Sequence, residues 1–220
     1  ASAQPTKDGG VIIVSDVVNL ADRKEKALFR LVGSDGLKAE VEHSPDLRGR
    51  TVTEGVMAKI DKDGKVLWAR LIATTTHPTP KRFGGYAAFY NSLALDSEEN
   101  IYICGNYLSE MTFTKRNGSV EKHQAKSTKA WDGTSQSWAG DPFIAKFDKD
   151  GYLLQFMTED ESSILHATFD RMVIWDNTLY VAGCFHGDSI GTSTIRFGNK
   201  SLKFNYNYNL AYASVKTEDL

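Results

Sequence analysis

Residues 55–68 read GVMAKIDKDGKVLW, and residues 142–154 read PFIAKFDKDGYLL. Each holds A-K-[IF]-D-K-D-G between apolar runs, and the flanks are copied along with the centre. Turn chemistry accounts for the Asp-Gly pair, because a tight hairpin needs the positive φ that glycine adopts freely, but it does not account for matching apolar residues on both sides. The two stretches therefore read as one structural unit written twice, a pair of strands joined by a hairpin.

Working outward from the second copy, SLALD (92–96), the turn cluster SEEN and IYICGNYL (101–108) form an earlier hairpin. Tyr102 and Cys104 alternate with Ile101, Ile103 and Gly105, a composition that suits a strand buried on both faces. The stretch VIIVSDVV (11–18) matches IYICGNYL, and VIWDNTLYVAGCF (173–185) matches both strands of that hairpin with a shorter turn. Ala145 follows Ala58 by 87 residues and Ala213 follows Ala145 by 68. Strand cores of constant length with unequal spacing put the difference in the loops. Helix has little support, ADRKEKALFRLV (21–32) coming nearest to an amphipathic pattern.

Four short strands in meander order, repeated, are the sequence form of a β-propeller blade. The expected fold is all-β: four-stranded antiparallel blades in a partial or open propeller with long loops on one face. The single segment 1–220 divides into blade 1 at about 1–72, blade 2 at about 91–157 and an incomplete blade 3 at about 170–220. The last copy, LAYASVKTEDL, has a third strand without a fourth, so the chain is expected to belong to a longer chain or an assembly that covers its open ends.

The combination LALDSEENIYICGNY, DPFIAKFDKDG and VLWARL resembles the bacterial-type β-propeller repeat known as SBBP, and the related NHL propellers share its first half. The resemblance covers most strand positions of all three copies and few loop residues. Ser15 stands where Gly105 and Gly183 stand, Gln155 takes the place of Trp68, and the loops are longer than the family's. It implies a non-catalytic structural or protein-recognition module, extracellular or at the cell surface, whose partners are other proteins or the remaining blades of a longer chain. A secreted carbohydrate-binding or adhesin module is one alternative. AKIDKDGKVLW is also similar to the tryptophan-docking repeat of pyrroloquinoline-quinone propellers, which implies a quinone-dependent enzyme fragment as another. Only Trp68 keeps that motif's tryptophan, so no cofactor is expected.

The composition is that of an ordinary globular chain, 41% hydrophobic and 25% charged, and the net charge of -2 gives no electrostatic reason to expect nucleic acid or an anionic membrane. No apolar run approaches the ~20 residues that span a bilayer as a helix. Cys104 and Cys184 are too few for a cysteine zinc site and are expected as two buried free thiols pointing toward a common interface between blades. The DKDG turns imitate the start of an EF-hand loop, but Lys65 and Tyr152 stand where its fifth-position ligand belongs, and a β-hairpin explains the spacing. The five histidines show no ligand spacing, and no nucleophile motif occurs.

Strand order places the long connections, roughly 18–54, 73–90, 108–141, 157–169 and 186–208, together at one end of the blades, which makes that face the expected binding surface. Within it, KSTKAWDGTSQSWAGDP (126–142) supplies Trp131 and Trp138, and HPTPKRFGGYAAFY (77–90) supplies Arg82, Tyr86 and Tyr90, residue types that anchor protein contacts. The same aromatics equally serve to pin long loops to a core.

Overall fold

The computed structural model describes residues 2–19, 27–36, 38–43, 52–76, 88–107, 110–125, 141–159, 161–162, 164–187, 192–197, 200–205 and 208–220. These form antiparallel sheets and one short 3-10 turn, with no α-helix among them. The first unit contains β1 (Ser2–Pro5), β2 (Val11–Asn19), β3 (Ala27–Val32), β4 (Lys38–His43), β5 (Val52–Ile60) and β6 (Val66–Thr76). In the second are β7 (Ala88–Leu95), β8 (Ile101–Tyr107), β9 (Glu110–Thr114), β10 (Val120–Gln124), β11 (Asp141–Phe147) and β12 (Leu153–Thr158), followed by the short β13 (Glu161–Ser162). The third holds β14 (Ile164–Trp175), β15 (Thr178–Gly187), β16 (Thr192–Phe197), β17 (Lys200–Asn205) and β18 (Tyr208–Lys216), with the 3-10 turn at Thr217–Asp219.

Each unit is an antiparallel meander, β1-β2-β5-β6, β7-β8-β11-β12 and β14-β15-β18, none of which closes on itself. The three alanines that define the repeat occupy one ladder position: Ala58 pairs with Ile13, Ala145 with Ile103 and Ala213 with Val181. The repeat is thus one of backbone register as well as of sequence. Asp61 shows why its turn is conserved between copies, since its Oδ1 accepts the N–H groups of Asp63 and Lys65 at 2.9 Å, while Gly64 sits at φ +82. Asp148 does the same for Asp150 and Tyr152 at 3.0 Å, with Gly151 at φ +80.

The middle connection of every unit carries an inserted hairpin: β3–β4, β9–β10 and β16–β17. Sequence spacing alone predicts loops here that decorate one face, and the structure corrects this for the second and third units. Strand β9 joins the edge of the preceding sheet, Thr74 opposite Thr112 and Thr75 opposite Met111. Residues 87 positions further on repeat the arrangement, Glu161 of β13 opposite Arg196 of β16 and Ser162 opposite Ile195. The second unit's hairpin is therefore a clasp between units, made by adding a strand to a free edge, and the third unit's hairpin pairs with the short β13 in a separate three-stranded sheet. Residues 27–32 of the most helix-like stretch are strand β3.

The units stack face to face. Ile12, Val14, Met57 and Ile72 of the first pack against Leu93, Ile101, Ile103 and Phe147 of the second, and Met111 and Phe113 of the clasp hairpin close that core. Tyr102, Cys104 and Ile144 face the other way and pack against Phe169, Leu179, Val181 and Phe185 of the third. All seven residues of β8 are buried, as its alternation of apolar residues predicts for a central sheet covered on both sides.

The thiols depart from expectation. Both are free, but only Cys104 is buried, and Cys184 is partly exposed. Cys104 faces the third unit, its thiol donating to Phe169 O at 3.5 Å. Cys184 shares the face of Tyr180, opposite Val181 and Phe185, so the thickness of the third sheet separates the two sulfurs.

Candidate functional site

The junctions between units are built from residues far apart in sequence. At the turn end of the first junction, Arg70 of β6 donates through Nε to Asp150 O at 2.7 Å and lies 4.2 Å over the Tyr152 ring. Arg116, from the tip of the β9–β10 hairpin, covers the same ring at 4.7 Å and reaches Asp148 at 2.9 Å and Asp150 at 2.6 Å. These hydrogen bonds hold the Asp150 carboxyl below its ordinary range and push the guanidinium of Arg116 up. Trp68 closes on the Gly151 turn so tightly that a Cβ there would stand 3.0 Å from its ring. On the same hairpin, Lys115, and after it His123, lowers the Glu121 carboxyl, and the His123 ring stacks on Phe156 at 4.1 Å. The neighbouring short turns are tied as well, the Lys7 N–H donating to Glu99 Oε1 at 2.8 Å and the Lys7 ammonium to Ser97 O at 2.6 Å.

The second junction is locked by Lys146. Its ammonium lies 5.4 Å over Tyr102 and donates to Thr217 O at 2.8 Å and Leu220 O at 2.6 Å. The Tyr102 hydroxyl donates to Asp96 Oδ2 at 3.0 Å, and burial pushes its ionisation well above the ordinary range. Ser92 Oγ accepts the Met172 N–H at 2.8 Å, so the long strand β14 is fixed at its midpoint. Burial likewise holds Cys104 in its protonated, unreactive form.

One surface repeats half of these junctions without a covering partner. Ala94, Tyr102 and Ile144 of the second unit meet the third and are 6%, 0% and 3% exposed; their ladder equivalents Val173, Tyr180 and Tyr212 are 58%, 39% and 80% exposed. Trp175 and Leu210 lie on the same outer face and are also exposed. Ser214 takes the ladder position of Lys146, so the ammonium that locks the inner junction has no counterpart here. Beside this face, β18 pairs with β15 on one edge and with no strand on the other among the described residues. An apolar sheet face next to an open edge can bind protein by packing and by strand addition.

Trp131, Trp138, Arg82 and Tyr86 lie outside the described residues, and Tyr90 lies on β7 with its side chain outside the description. Among the described residues no group of three or more His, Cys, Asp or Glu is placed to hold a metal ion. The carboxylates of Asp61 and Asp148 close their own turns, as the hairpin reading of DKDG expects. No protein-family model matches the chain, and no curated protein matches it.

Proposed function

We propose that this chain is a non-catalytic β-propeller-type module, its three units open blades, that serves as a structural or protein-recognition component of a larger chain or assembly. The observation that carries this reading is the ladder equivalence: positions wholly buried where one unit meets the next are occupied by Val173, Tyr180 and Tyr212 on a face that nothing in the described chain covers. The meander order, the face-to-face stacking and the inserted hairpins support the blade description. Recognition by such a module depends on packing and complementarity instead of on a reacting group. The test is to produce residues 1–220 and their Val173→Lys/Tyr212→Lys variant, and to follow binding of an apolar dye together with association. The expected result is dye binding or association that the paired substitution removes. A monodisperse monomer that binds no dye, and is unchanged by the substitution, overturns the reading.

A further inference from the structure

We propose that Asn117, at the tip of the β9–β10 hairpin, is a site of spontaneous backbone-assisted deamidation, and that the conversion loosens the hold of that hairpin on the first junction. Asn117 is the one asparagine of the sequence followed by glycine. With no Cβ on Gly118, the backbone nitrogen after this asparagine is unhindered. Arg116, Asn117, Gly118 and Ser119 are all exposed, and a Cβ built on Gly118 would meet no atom within 4 Å. The tip is held to the rest of the second unit by Arg116, whose guanidinium reaches Asp148 at 2.9 Å and Asp150 at 2.6 Å.

The reaction needs only water. The Gly118 nitrogen attacks Cγ of Asn117, a nitrogen–carbon bond forms, the Cγ–Nδ2 bond breaks, and Nδ2 leaves as ammonia with the proton that the Gly118 nitrogen loses. Water then opens the five-membered imide. Cleavage at Cγ restores the chain with aspartate at 117, and cleavage at the backbone carbonyl carries the chain through the side chain as isoaspartate. In the closed tip the Gly118 N–H donates to Lys115 O at 2.9 Å and the Ser119 N–H to Asn117 Oδ1 at 2.9 Å. Nucleophile and amide are both engaged there, so the reaction proceeds through opened tips and its rate reports how often the tip opens.

The product acts on the same contact. Residues 115–119 carry two positive charges and no negative one, and Arg116 among them holds Asp148 and Asp150. A carboxylate at 117 halves that net charge and competes for the guanidinium that fixes the hairpin. The turn itself accepts an aspartate: Asp35 precedes Gly36, at φ +74, in the tip of β3–β4, where the Gly36 N–H donates to Gly33 O at 3.0 Å as Gly118 does to Lys115. Loss of attraction, and in isoaspartate the additional backbone carbon, therefore open the tip further without unfolding the sheet. Modification and release of the hairpin favour each other.

The experiment incubates the full chain in warm, mildly alkaline buffer, folded and in urea, and follows residue 117 by peptide mapping and mass spectrometry, with Arg116→Gln and Asn117→Gln alongside, each checked for native β signal. Folded wild type is expected to gain the mass of an amide-to-acid exchange at 117, as aspartate and isoaspartate together, more slowly than in urea, while Asn117→Gln gains none in that peptide. Arg116→Gln, which frees the tip, is expected to react about two- to fivefold faster than wild type when folded, the range an exposed ion pair is worth, and at the wild-type rate in urea. Fresh Asn117→Asp is expected to exchange its β9–β10 amides for deuterium faster than Asn117→Gln does. An amide at 117 that survives in the folded chain while urea releases it overturns the site. Equal rates folded and in urea, equal folded rates for wild type and Arg116→Gln, or equal exchange in Asn117→Asp and Asn117→Gln overturn the link to the hairpin's hold.

Discussion

Ile144→Ala and Tyr212→Ala place the same truncation at one ladder position of successive units, and the account assigns them very different costs. Ile144 is 3% exposed between the second and third sheets, whereas Tyr212 is 80% exposed on the outer face. Ile144→Ala removes three buried carbons, worth about 2.4 kcal/mol at about 0.8 kcal/mol per methylene. The cavity left between two sheets that are each pinned by their own ladders raises this to about 3 kcal/mol. For a chain of this size that is a fall of about 6–12 °C in Tm. Tyr212→Ala, in chain dilute enough to be monomeric, is expected to stay within about 0.5 kcal/mol. Urea denaturation followed by tryptophan fluorescence gives both values, read as midpoint shifts at constant m. Equal costs at the two positions would refute the claim that equivalent residues are buried in one unit and bare in the next.

Gly183→Ala is expected to destabilise by more than about 3 kcal/mol or to prevent folding, since a Cβ there would stand 1.9 Å from Thr168 O and only backbone movement could relieve it; soluble yield and thermal melting check this. Tyr107→Phe is expected to be neutral or slightly stabilising by chemical denaturation, because the buried hydroxyl finds no hydrogen-bond partner among the described residues. Asp150 and Glu121 have carboxyls depressed by Arg116 and Lys115, so the folded state binds fewer protons than the unfolded state. Their contribution is full above the ordinary carboxylate pKa of about 4 and is lost as pH falls through the lower folded values; urea midpoints of wild type and Arg116→Gln should differ at neutral pH and converge at acid pH.

The fold class was legible because its signals are local. The A-K-x-D-K-D-G copies, the alternation in IYICGNY and the Asp-Gly turns each depend on a few adjacent residues, and all appear where the periodicity puts them. The inserted hairpins were hidden inside long connections, although each carried its own mark: Asp35-Gly36 separates β3 from β4, Asn117-Gly118 separates β9 from β10, and Gly198-Asn199 separates β16 from β17. The Arg70–Tyr152–Arg116 junction has no local signal at all, since its members come from three different elements. The exposed outer face is invisible for a different reason. Tyr180 matches Tyr102 in type and ladder position, and only the presence or absence of a neighbouring sheet distinguishes them. Sequence drew attention instead to aromatics in polar loops, a compositional signal that does not report which face a sheet leaves uncovered.

Hydrogen–deuterium exchange on the monomeric chain tests the stacked-unit account most directly, because protection follows burial and pairing strand by strand. The account predicts the slowest exchange in β8 and β11, which are paired on both edges and covered on both faces, and markedly faster exchange in β18, which among the described residues has one unpaired edge and one bare face. Protection of β18 equal to that of β8 in the monomer, or fast exchange throughout β8, would contradict it.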